Sequence, residues 1–372
     1  MSFSVCSTRA FVSLLALGAV TSFASGAHAF ALQTDSSGVD VRWQVPQITV
    51  TVDASLGLVA PDAVELMERC FTPWESVDGA SPPLVVVQAG AVDAIGYVPG
   101  AANQSTVRYI PEGTPLAGIA LATTVLTYDA TGTIVDADIL LNGGEGRVFG
   151  ELAAQGQGTI FGILPPYDLQ NVLTHEAGHF FGMAHQNDED SATMYPTSNR
   201  GETTKRTLSS DDEAGLKAIY AHSDASDSST MCSAAAPGSR GGLGAAAVGA
   251  VALAAAFARR ASRAKRICGA AALAACALVG LAGSSSATAA PAQDAAPTAV
   301  VRAATARHEG GLIVTALDID LPRGETRHVE VYGGTHAGYT QVVNAQRAPA
   351  IGSQLHVDAA GEVVAAELPP VR

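Results

Sequence analysis

Three of the chain's nine histidines fall in the stretch Thr174-His175-Glu176-Ala177-Gly178-His179-Phe180-Phe181-Gly182-Met183-Ala184-His185. His175 and His179 are four residues apart, so a helix puts both on one face, about 6 Å apart along its axis. His185 is out of helical phase with them. It can join them only if the helix stops and the chain folds back, and Gly182 sits where such a stop needs a left-handed residue. The stretch therefore demands a helix, a break and a return. Three neutral imidazoles suit zinc, which takes nitrogen ligands at about 2.0–2.1 Å in a tetrahedral shell and leaves a fourth position for water in catalytic sites. Glu176 follows the first ligand directly, so it can reach that water as general base and return the proton to a leaving amine as general acid. The added Gly182 and His185 make a chance match roughly a thousandfold rarer than H-E-x-x-H alone. That weighs against three ordinary histidines on an amphipathic helix.

The surrounding pattern belongs to a globular α+β domain over residues 30–221. Val39, Val41 and Trp43, then Ile48, Val50 and Val52, alternate as strands do. Pro61 to Trp74 reads as a helix whose apolar face is Ala63, Leu66, Met67, Cys70 and Phe71, which makes Cys70 a core residue. Leu84 to Val87 reads as a buried strand. Ile119 to Tyr128 and Thr133 to Leu141 flank the turn composition Asp129-Ala130-Thr131-Gly132 and predict a hairpin. Helices follow at Leu169 to Phe181 and Asp211 to Ala221, and strands first with helices last argue for α+β packing.

The pattern H-E-x-x-H-x-x-G-x-x-H resembles the metzincin zinc peptidases, and the residues around it narrow the resemblance to the matrixin-like group. Ser191-Ala192-Thr193-Met194-Tyr195-Pro196 is similar to that family's Met-turn, with Met194 as an apolar floor under the histidines. Leu208 to Tyr220 resembles its last helix, Asp168 to Thr174 its lead into the active-site helix, and Gly118-Ile119-Ala120-Leu121-Ala122 its substrate-pairing edge strand. The resemblance implies a twisted mixed β-sheet with an active-site helix and a C-terminal helix. It also implies one catalytic Zn2+ on His175, His179 and His185, and a cleft in which a peptide adds as a strand. Residues Thr197 to Thr207 would line the pocket just beyond the scissile bond. A second, structural zinc is not expected, because no histidine lies between His28 and His175. Asp136, Asp138, Asn142 and Glu145 offer oxygen ligands for Ca2+, with a solvated acidic loop as the alternative.

Beyond this domain the sequence changes character. Residues 1–29 read as an export signal: Arg9, the apolar run Ala10 to Ala24, and Ala27-His28-Ala29 before Phe30. Residues 222–242 form a Ser/Ala/Gly-rich linker containing Cys232. Residues 243–290 hold two short hydrophobic helices, Leu243 to Ala258 and Ile267 to Gly283, around the basic cluster Arg259 to Arg266. They read either as a membrane hairpin with the cluster inside or as a second export signal in a joined pair of proteins. Met231-Cys232-Ser233, the first run and Arg259-Arg260 resemble the MYXO-CTERM type of tripartite sorting tail of some Gram-negative bacteria, in which Cys232 would mark processing and surface attachment. A free linker cysteine is the alternative. Residues 291–372 predict a small β-rich module, in which His308, His328, His336 and His356 show no ligand spacing.

Acidic side chains outnumber basic ones 26 to 9 over residues 1–232, which argues against nucleic acid as a partner. The expected partners are protein or peptide substrates, and membrane or cell-surface sorting machinery. Two functions compete: a secreted or surface-attached zinc endopeptidase, and a non-catalytic binding or adhesion protein on the same scaffold. Glu176 separates them, since a scaffold that only holds zinc needs no carboxylate there.

Overall fold

Five strands from the first half of the chain lie side by side in one sheet: β1 (Gln47–Asp53), β2 (Leu84–Gly90), β3 (Ser105–Ile110), β4 (Ala122–Asp129) and β5 (Ile134–Asn142). This computed structural model describes residues 30–92, 94–153, 164–221, 298–358, 360–364 and 367–372. The expected export signal, the linker with Cys232 and the two hydrophobic runs lie outside the described residues. β1 pairs in parallel with β2 and β3, β3 in parallel with β5, and β5 antiparallel with β4. β4 and β5 are buried along nearly their whole length, as expected of strands covered on both faces.

Helix α1 (Ala63–Glu75) buries Leu66, Met67, Cys70, Phe71 and Trp74. Each such large side chain contributes about 1.5–3 kcal/mol through its removal from water. Cys70 is free and fully buried, and burial pushes its thiol up to about 12. Two short strands, β6 (Phe149–Gly150) and β7 (Tyr167–Asp168), lead into helix α2 (Leu169–Phe180), which is buried on nearly every side. Helix α3 (Ser210–Tyr220) begins with a capping box between Ser209 and Asp212. Among the described residues no helix is long and apolar enough to cross a membrane.

The C-terminal region contributes strands to two sheets. β8 (Thr298–Glu309), β9 (Leu312–Asp320) and β10 (Thr326–Tyr332) form a second, antiparallel sheet with β13 (Gln354–His356), and this sheet has its own core around Val301, Leu317, Ile319 and Val331. The short pair β11 (Gly334–His336) and β12 (Tyr339–Val343), however, joins the first sheet, in the order β11-β12-β4-β5-β3-β1-β2. The module is therefore not a separate body: residues of 30–221 and 298–372 make one compact unit. The physical reason lies at Gly333 and Gly334, whose φ values of +93° and +124° bend the chain off β10 toward the open edge of β4. A Cβ at Gly334 would meet Thr315 Oγ1 at 2.1 Å.

One further expectation changes, and two strands appear that the sequence pattern does not announce. Val39 to Trp43 makes only isolated bridges, Asp40 to Thr34 and Arg42 to Thr133. β3 and β8 had no clear alternation of apolar residues to announce them, since polar side chains interrupt both.

Candidate metal centre

Helix α2 starts where Asp168 accepts the Asn171 amide at 2.8 Å, and Arg206 pairs with the same carboxylate. It stops at Gly182, whose φ of +96° reverses the chain; a Cβ there would lie 2.2 Å from Val41 O. The Met183 amide bonds back to Gly178 O at 3.0 Å, and His185 returns to the other two rings. His179 Nε2 lies 3.1 Å from His185 Nε2, and one ligand nitrogen from each of the three histidines lies within 4.8 Å of the others. A tetrahedral shell with zinc–nitrogen bonds of about 2.0–2.1 Å spaces its nitrogens roughly 3.3 Å apart.

The tautomers follow from the partners. His175 Nδ1 donates to Thr193 O at 2.6 Å and His179 Nδ1 to Met183 O at 2.9 Å. A carbonyl can only accept, so each Nδ1 carries the proton and each Nε2 presents a lone pair. Burial keeps the rings neutral. It holds His175 well below the usual imidazole range, with the neighbouring histidines adding to the effect. It lowers His179 to about 3, reinforced by His185, and His185 to about 4, reinforced by Lys205. Buried, neutral, convergent nitrogens fit a zinc ion in place and leave little reason for the arrangement without one.

Glu176 sits beside this group and is 4% exposed. Thr124 Oγ1 on β4 donates to its Oε2 at 2.7 Å and to its main-chain O at 3.2 Å. Burial pushes the carboxyl up to about 7, against the opposing effects of the Thr124 bond and the Lys205 charge. A carboxyl titrating there can both take and give a proton near neutral pH.

Met194 lies fully buried beneath α2. Gly178 makes room for it: a Cβ there would come within 2.2 Å of Met194 Sδ and 2.7 Å of the Trp74 ring. The turn carrying Met194 is held by Asp212, whose two carboxylate oxygens accept the Thr193 and Met194 amides at 2.8 and 3.1 Å. The start of α3 thus fixes Thr193, and Thr193 O fixes the His175 ring. Lys205, 1% exposed, donates its Nζ to Tyr195 O and Thr197 O and ties down the segment after the turn. Burial lowers its pKa, partly offset by Glu202, Glu176 and Asp212.

Other expected site residues fall differently. The strand expected over Gly118 to Ala122 begins only at Ala122; residues 118–121 form a turn and bend. Gly118 has φ +53°, Asn142 Nδ2 donates to Gly118 O and Ala120 O, and Arg147 donates to Ile119 O. Side chains have taken carbonyls that a strand would offer. The four oxygen-bearing residues considered for calcium do not converge either. Asp138 accepts from the Gly96 and Thr106 amides and the Thr106 hydroxyl, Asn142 holds the turn, and Glu145 pairs with Arg147. Asp136 Oδ2 is buried and unpartnered. Thr124 and Asp212 are site residues that the sequence reading misses, and Lys205 enters it only within the expected pocket stretch Thr197 to Thr207. Asp212 carries a signal, as an acidic residue in the last helix's first turn.

Residues 135–221 match the family model described as Matrixin. Metalloendoproteinase 1-MMP of Arabidopsis thaliana is 49% identical over 53 residues, which is 14% of this chain and 14% of that protein. The aligned part is thus a small share of the relative's length. The matched region contains the three histidines, Glu176, Met194 and α3, each in the arrangement just described. From Val135 to Ala221, therefore, the chain is similar to the Matrixin family.

Proposed function

We propose that this chain is a zinc-dependent endopeptidase acting on protein or peptide substrates. The observation that carries the reading is the junction of three converging histidine nitrogens with a buried carboxyl, Glu176, that Thr124 holds beside them. His175, His179 and His185 would hold the ion. Bound there, zinc supplies Lewis-acid polarisation of the scissile carbonyl and acidifies water. Glu176 takes the proton of the attacking water and later delivers it to the leaving amine. Thr124 orients the Oε2 that does this, and the Met194 floor keeps bulk water from beneath the rings. The position of Glu176 favours this reading over a binding scaffold. The test is hydrolysis of casein or a quenched peptide with and without a chelator, and by Glu176→Ala. Chelator-insensitive cleavage, or full activity of the variant, contradicts it.

The same reading takes the chain to be exported, on the strength of Arg9, the apolar run Ala10 to Ala24 and Ala27-His28-Ala29. Cys232 and the run after it would direct surface attachment. The two hydrophobic runs of residues 243–290 would then serve as a membrane hairpin or, alternatively, as a second export signal. Mass spectrometry of the mature ends tests this: a chain starting at Phe30 is expected and its other end shows whether processing occurs near Cys232, whereas a retained Met1 contradicts export cleavage.

A further inference from the structure

The outer edge of β4 is shared between two stretches of different character. From Asp129 to Val125 it is paired, residue for residue, with Tyr339 to Val343 of β12 in antiparallel register. One more rung follows, the Asn344 amide donating to Thr124 O at 3.2 Å. There β12 leaves: Asn344 and Ala345 take φ values of +54° and +57°, and Val343 and Gln346 close a tight turn by mutual main-chain bonds. The last covered residue, Thr124, is the one whose hydroxyl holds Glu176. Side-chain alternation makes Ala122, two residues earlier, the next to turn its N–H and C=O outward. Before Ala122 the edge is lost to the turn at Gly118 to Leu121.

This cover is built in. Gln341 is fully buried, donating to Thr127 Oγ1 and Gly311 O and accepting from the Ile313 amide. Val343 packs with Val125, Leu140 and Leu116, and Tyr339 lies against Tyr97 at 4.8 Å between ring centroids. The Gly96–Gly311 bridge brings the backbones so close that a Cβ on Gly311 would stand 2.2 Å from Ile95 O.

We propose that β12 is the amino-side wall of the substrate cleft, so that the enzyme prefers peptides with few residues before the scissile bond. An antiparallel peptide at this edge runs in the same direction as β12, its amino-terminal part pointing at Thr124. Its path meets the end of β12 head-on, and longer amino-side segments must turn away from the sheet and lose main-chain bonds. One open ladder repeat corresponds to about two or three substrate residues. The inference rests on the peptidase reading for its substrate and on the β4–β12 register for its geometry.

The test uses the zinc-loaded full chain and a quenched-peptide series with a fixed carboxy-terminal half and one to six residues before the scissile bond. The expected kcat/KM rises to about three residues and then falls by about fivefold or more. Thr340→Pro, which removes a rung donor opposite Tyr128, is expected to abolish that fall. A Val125→Cys/Val343→Cys lock, available should the proline variant not fold, is expected to keep the wild-type profile. Values that keep rising with length in the wild type, or long-peptide cleavage lost only in the locked protein, overturn the proposal. The same peptides bound to Glu176→Gln, followed by fluorescence anisotropy, show the same length limit even if nothing is cleaved. Absence of cleavage with that limit intact discards the peptidase reading and leaves the wall standing, and tighter binding with every added residue removes the wall.

Discussion

Two groups of histidines, one within residues 30–221 and one within residues 298–372, look alike at a distance and differ in every detail that matters. His175, His179 and His185 are packed with ring centroids 4.7–5.3 Å apart, and His308 and His336 lie 5.3 Å apart. In the first group two Nδ1 atoms are pinned to carbonyls and the Nε2 atoms converge. In the second only His336 is pinned, to Ala306 O, and His308 Nε2 has no partner. Closeness of rings is therefore not what makes a metal centre. Orientation by main-chain acceptors, which fixes where the lone pairs point, is what separates them.

The largest expected effect breaks that comparison by chemistry. His179→Ala should weaken zinc binding by about a thousandfold or more, whereas His336→Ala should leave it unchanged, as measured by competition with a chromophoric chelator. Glu176→Gln separates holding the ion from using it. Zinc content should stay at the wild-type level while kcat/KM for a short peptide falls by at least about a hundredfold. Equal loss of zinc and activity would mean that Glu176 serves the fold and not the reaction.

A subtler pair of changes carries the same contrast to buried carboxylates. Asp212 is fully engaged, by Ser209, Thr193 and Met194. Asp212→Ala should cost about 3 kcal/mol in denaturant unfolding and lower zinc affinity about tenfold, through the loosened Thr193 carbonyl behind His175. Asp136 is the opposite case. Burial, and then the neighbouring Asp138 charge, hold its carboxyl well above the usual range, while Asp138 itself is pushed by burial to about 6. Raised folded values mean that the native chain holds more protons than the unfolded one, whose carboxyls titrate near 3.8. Stability therefore falls as pH rises from the unfolded value through the folded ones. Asp136→Asn should be nearly neutral below about pH 4 and stabilising by about 1 kcal/mol above pH 7, by thermal unfolding across that range. A destabilising effect at high pH would show that the unpartnered oxygen has an unrecognised partner.

Much of the metal centre was legible because its geometry is local. A four-residue spacing, a glycine break and a returning histidine are written within one turn-helix-turn, and the physics of each can be read without the fold. What stayed hidden depends on distance along the chain. Thr124 meets Glu176 from 52 residues away and Lys205 meets Tyr195 through a loop, and neither leaves a periodic trace. β12 is five residues long and finds its partner across more than two hundred positions. Short strands with mixed polarity carry no readable register, so the pairing of β12 with β4 leaves no trace in the sequence. The same limit explains Gly118 to Leu121: the family resemblance implied a strand there, but Asn142 at the end of β5 and Arg147 beyond it claim the carbonyls.

The most direct measurement is metal dependence of peptide hydrolysis by the purified full chain. After exhaustive chelation activity is expected to fall below detection, with recovery that saturates at one zinc ion per chain and no recovery in His179→Ala. Hydrolysis that survives chelation, or a chain that takes up no zinc, would contradict the zinc-peptidase reading.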